Sequence, residues 1–216
     1  MRNQMSARTI VMVGLVCASF VSSAQTPGAG RRDALVDLLV WGAEPQIDPK
    51  AYSSAVQAEL ETYLRRSREY RPARRPATNS AELQMVSAAE VRYERRLVAV
   101  TGDPRAPALA AAYVDSLRPC YEWEGNHECP EKEAAFATQY QAANASGPFS
   151  EFLPLLAAHR WLCAAEAYEY EEQPDGVSRS RHAYEQAIAT ARQSKALLVR
   201  TAAEELSARG RCSRLR

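Results

Sequence analysis

"EFLPLLAAHRWLCAAEAYEYE", residues 151–171, is the stretch whose reading decides the fold. Its apolar residues recur at helical spacing and cover almost every side. A helix of that kind is buried on several faces by others. Pro154 is tolerated because it falls in the first turn, where no intrahelical bond needs its missing N–H. Such a helix requires a layer of helices around it, and the flanking sequence supplies them.

Toward the C-terminus, "EEQPDGVS" (171–178) reads as a turn. A helix over 179–192 follows, with Ala183, Tyr184, Ala187, Ile188 and Ala191 on one side. Another over 194–208 carries Leu198, Ala202 and Leu206, with Gly210 as its stop. Toward the N-terminus, "NASGP" (144–148) breaks the chain before a helix over 131–143, where Phe136 and Tyr140 share a face and Pro130 sits at the start. Residues 106–117 form a short alanine-rich helix. Residues 81–100 carry Val86, Ala89, Tyr93, Leu97 and Val100 at spacings of three and four, with Asn79 and Glu82 spaced as a capping pair. The arginine-rich stretch 65–80, interrupted by Pro72 and Pro76, reads as a solvated linker. Helices over 50–68 and 33–43 precede it, separated by "EPQIDP". Alternating β-branched runs are missing outside residues 9–21. The expectation is an all-α domain of about seven helices in antiparallel hairpins, spanning residues 32–212.

The first 24 residues read as an export signal: Arg2 and Arg8, then the apolar run 9–21, then "SSA" before a cut after Ala24. Val16 precedes Cys17, which does not suit lipid attachment, so Cys17 belongs to the discarded signal. Residues 25–31 read as a flexible tail. Cleavage leaves 192 of the 216 residues, with 25 basic against 26 acidic, a formal charge of −1. That balance gives no bulk attraction to nucleic acid, and no membrane span remains after cleavage. The chain is predicted to reside in a bacterial periplasm or outside the cell.

Four cysteines survive cleavage, Cys120, Cys129, Cys163 and Cys212, an even count that favours disulfides in an exported chain. "CYEWEGNHEC" (120–129) has eight residues between its cysteines, including Gly125 and Asn126, enough to turn the chain back. The pairing expected is Cys120–Cys129, which leaves Cys163–Cys212. The second pair requires the tail after Gly210 to fold back onto the 151–171 helix. A bridge from Cys163 to the 120–129 loop is the alternative.

The Ala-Ala-Glu triplets at 164–166 and 202–204 lie 38 residues apart, within the range of helix-pair repeats. Trp161, Ala165 and Tyr168 follow a large, small, aromatic order, and Tyr184 with Ala187 an aromatic-then-small pair. In these features residues 151–210 resemble a tetratricopeptide-type helical repeat. Two departures stand: the turn between Tyr168 and Tyr184 is long for that family, and no proline closes a unit near 192. The resemblance implies an α-solenoid-like C-terminal half whose groove-facing side chains carry binding.

Tyr121, Trp123 and His127 are the candidate binding residues, as the tip of a disulfide-closed loop. No catalytic residue, metal ligand or cofactor is assigned. Cys-x8-Cys is too wide for a zinc knuckle, and the loop lacks the calcium-loop order of acids. His159, within a turn of Leu155, Leu156 and Cys163, reads as a satisfied core histidine. The function expected is non-enzymatic: an exported protein- or peptide-binding module. The alternative is a metal-binding protein or hydrolase centred on 120–129 with His159.

Overall fold

The computed structural model describes residues 34–42, 47–72, 80–120 and 125–212, with Glu82 in backbone only. The export signal, the 25–31 tail, Asn79, Tyr121 and Trp123 lie outside the described residues. Eight α-helices follow in order: α1 (Ala34–Trp41), α2 (Ser54–Glu69), α3 (Ala81–Thr101), α4 (Ala106–Leu117), α5 (Glu128–Ala143), α6 (Leu153–Tyr170), α7 (Pro174–Ala191) and α8 (Leu197–Arg209). A single 3₁₀ turn, Pro49–Ala51, precedes α2. The described residues contain no strand, so the fold is all-α as the periodicity predicts.

The buried helix at the centre is α6. Leu155, Leu156, Ala158, Ala164 and Ala165 have no solvent exposure. It packs against α5 on one side and α7 on the other. Only residues 171–173 separate α6 from α7, so the two form a tight antiparallel hairpin. The turn expected over 171–178 is therefore shorter than its composition implies. Pro174 takes the first helical position and Asp175 the first turn, which suit a helix start as well as a loop.

That hairpin occupies the residues that resemble the repeat. Beyond it, α8 packs against α1 and α2 as well as α6 and α7. The eight-residue α1 is buried almost throughout: Ala34, Leu35, Val36, Leu39 and Val40 are all at zero exposure. Arg209 Nη1 of α8 lies 2.6 Å from Asp37 Oδ1 of α1. The two ends of the described chain are thus packed together.

Local signals fix the helix ends. The cap of α3 is Ser80, whose hydroxyl accepts from the Leu83 N–H at 3.4 Å. Gly102 closes α3 in the left-handed region, at φ +66°. The Arg66 side chain occupies the space where a Cβ on Gly102 would lie. The arginine-rich stretch is helical in its first residues, because α2 runs on to Glu69. Tyr70 then turns inward, 8% exposed, and its hydroxyl donates to Glu94 Oε2 at 2.6 Å.

Both expected cysteine pairs are bridged: Cys120 with Cys129, Cα atoms 5.9 Å apart, and Cys163 with Cys212, Cα atoms 4.7 Å apart. Those spacings are ordinary for disulfides. Among the described residues no helix is long and apolar enough to cross a membrane.

Candidate functional site

A cleft of about 140 Å³ opens where α1, α3, α5 and α6 meet. The face of α3 supplies Ala89, Arg92, Tyr93 and Arg96, spaced so that they share one side of the helix. Trp41 enters from the end of α1, Glu133 from α5 and Arg160 from α6. The Cys120–Cys129 bridge lies in the wall, flanked by Pro119 and Pro130.

Arg160 is 4% exposed and fully engaged. Its Nε donates to Glu133 Oε2 at 2.6 Å, its Nη1 lies 2.9 Å from His159 Nδ1, and its Nη2 donates to the Val40 carbonyl at 3.2 Å. The guanidinium also lies 4.2 Å from the centre of the Trp41 ring. Glu133 is as buried as its partner. Such a pair is kept by its geometry, since removing either member leaves the other charged and unpaired in a dry site.

Arg96 is different. It is 6% exposed, and its Nη1 donates to the same Val40 carbonyl. Its guanidinium sits 4.5 Å from the centre of the Tyr93 ring. Among the described residues no carboxylate pairs with Arg96, and none with Arg92, which is exposed. Burial pulls the Arg96 guanidinium below its ordinary pKa, with Tyr93 and Glu133 opposing the shift. Tyr93 is 3% exposed, and burial, aided by Glu133, drives its phenol well above the usual value. The Tyr93 and Tyr113 hydroxyls are each other's hydrogen-bonding neighbours in the interior, although neither meets strict hydrogen-bond geometry.

His127 lies outside the cleft. Its ring stacks on Tyr168, centroids 4.1 Å apart, and its Nδ1 is 2.5 Å from Glu171 Oε2. Its backbone N–H donates to the other oxygen of Glu171 at 3.0 Å. His127 therefore fastens the start of α5 to the end of α6. Tyr121 and Trp123 fall in the segment joining Cys120 to Cys129, and both of those cysteines line the cleft.

Among the described residues one other set of donor atoms gathers in the interior: His159, Cys163 and Cys212, all within 4.8 Å of one another. Both sulfurs are consumed by the disulfide. The histidine Nε2 lies 3.2 Å from the Cys212 carbonyl, and Nδ1 faces Arg160. The ring is neutral, because burial first and the Arg160 charge second hold its pKa well below the ordinary range. Those contacts make His159 part of the packing between α6 and the returning tail.

Arg92, Arg96, Glu133 and Arg160 were not singled out by sequence. A signal existed. Arg96 lies three residues after Tyr93 in the apolar stripe of α3, and Arg160 lies in a helix apolar nearly all round. A charge at such a position must find a partner or a ligand. Comparison with protein families, characterised proteins and solved structures returns no match for this chain.

Proposed function

We propose that this is an exported, disulfide-stapled helical module that binds a protein or peptide partner without altering it, in a bacterial periplasm or outside the cell. The observation that carries the reading is the cleft itself, which sets the guanidiniums of Arg92 and Arg96, paired with no carboxylate among the described residues, beside aromatic walls at a stapled corner. A cleft of about 140 Å³ is below the roughly 300–1,000 Å³ of whole-ligand sites, so it suits one group projecting from a larger molecule. The two disulfides support an oxidising destination. The resemblance of residues 151–210 to a helical repeat adds a scaffold of a kind that commonly presents such surfaces.

The test is selection from a random peptide library against the oxidised protein, with Arg92→Gln as the control. Peptides retained by the wild type and released by the variant support the reading. A library from which no peptide is enriched sinks it.

A further inference from the structure

We infer that the cleft binds a single carboxylate of its partner, with Arg96 at the floor and Arg92 at the mouth. The inference rests on the binding reading above and names the chemistry that the cleft selects.

Charge comes first. Among the described residues the walls hold three arginines against one glutamate, and that glutamate is committed to Arg160. Arg92 and Arg96 remain as the surplus. A buried cation is costly unless an anion meets it; among the described residues Arg96 meets a carbonyl and a ring, and Glu133, which acts on it from nearby, is bonded to Arg160. The guanidinium fork matches a planar carboxylate with two parallel N–H donors.

Shape narrows the class. The volume is about that of a cavity that takes up benzene, enough for a carboxylate and a short carbon stem. Trp41, Ala89 and Pro130 form the apolar side. That side suits a carbon stem, whereas a phosphate presents three acceptor oxygens with about −1.5 to −2 charge. Glu133 in the wall also opposes a dianion. Two sources carry the same group: the C-terminus of a chain, or an Asp or Glu side chain.

The experiment records the ¹⁵N signals of the arginine Nε groups in the oxidised protein during titration. Four probes are used: acetyl-Ala-Ala-Leu with a free carboxyl terminus, its amide, acetyl-Ala-Glu-Leu amide, and the glutamine version of the last. Binding of an acid form about 10- to 100-fold tighter than its neutral twin, with the Arg96 signal moving, is expected from charge-assisted bonds. Whichever acid wins identifies the source. Arg92→Gln, at an exposed position that leaves the melting temperature unchanged, should weaken that probe about tenfold. Equal response to acid and neutral probes, or no response to any of them, overturns the carboxylate inference. So does methyl phosphate displacing the probe better than acetate. Signals that ignore the probes but move when Glu122 and Glu124 are changed to glutamine would give the arginines to the chain's own acids and overturn it too. The library selection is separate: enriched peptides indifferent to carboxylate removal would leave the binding reading standing without this inference.

Discussion

His159 is at zero exposure and both its ring nitrogens are committed. Arginine only donates, so Nδ1 must be the acceptor and Nε2–H must point to the Cys212 carbonyl. The folded protein therefore holds this histidine neutral, while the unfolded chain protonates it near pH 6.5. Stability from this group is full above that pH and falls as the pH drops below it, by about 1.4 kcal/mol per pH unit. His159→Gln should remove that part of the acid dependence. The variant should also lose about 1–3 kcal/mol at pH 7.5, since a less rigid amide replaces two fixed bonds. Urea unfolding of both proteins at pH 5, 6 and 7.5 measures the difference, and parallel curves would refute it. The burial of His159 was legible, because Leu155, Leu156 and Cys163 lie within a turn of it. Its partner was not, because the Cys212 carbonyl arrives from 53 residues away. Helical periodicity reports neighbours on one helix and is silent about what another segment brings.

The α6–α7 hairpin shows the same division between elements. A helix at 151–171 was plain from its apolar wrapping. The start of α7 was obscured because Pro174-Asp175-Gly176 has the composition of a turn. Gly176 is helical here, and its reason is contact: a Cβ at that position would fall inside van der Waals distance of the Tyr168 ring. Tyr168 cannot easily yield, since its hydroxyl donates to Glu131 Oε2 at 2.6 Å and His127 covers its face. Gly176→Ala should gain roughly 1 kcal/mol in helix propensity and lose about 2–3 kcal/mol to overpacking. The net expectation is a melting temperature lower by about 2–8 °C. Adding Tyr168→Leu should recover part of that loss, because the two residues share one contact. A Gly176→Ala protein as stable as wild type would show that the hairpin is looser than its geometry.

Across the whole molecule, the last helix and the tail return to the first. Glu205 of α8, 8% exposed, accepts the Val36 N–H at 3.1 Å and the Tyr52 hydroxyl at 2.7 Å. Burial pushes its carboxyl up to about 7 from 4.5, against the pull of those two bonds. A carboxyl raised on folding favours the folded state most below its unfolded pKa, and the advantage is lost as the pH rises through the folded value. This group therefore costs about 3 kcal/mol between pH 4.5 and 7, opposite in sign to His159. Glu205→Gln should flatten that limb, and Tyr52→Phe should extend it to higher pH by removing a donor to the charged form. The same urea series decides it. The disulfides act at this scale as well; spacing favoured Cys120–Cys129, while Cys163–Cys212 followed only as the remaining pair, with a bridge from Cys163 to the 120–129 loop left open, and the central place of α1 was not legible. An eight-residue helix looks the same in sequence at a surface and in a core. The Cys163–Cys212 bridge spans 49 residues and Cys120–Cys129 spans 9. Chain entropy then predicts losses of about 4 and about 3 kcal/mol when each pair is changed to alanine. Function should divide the other way. Cys120–Cys129 lines the arginine cleft and Cys163–Cys212 does not. Removing the short bridge should weaken peptide binding more than removing the long one, although it costs less stability. If binding instead follows stability across the two variants, the cleft is not the site, and the returning tail becomes the place to look.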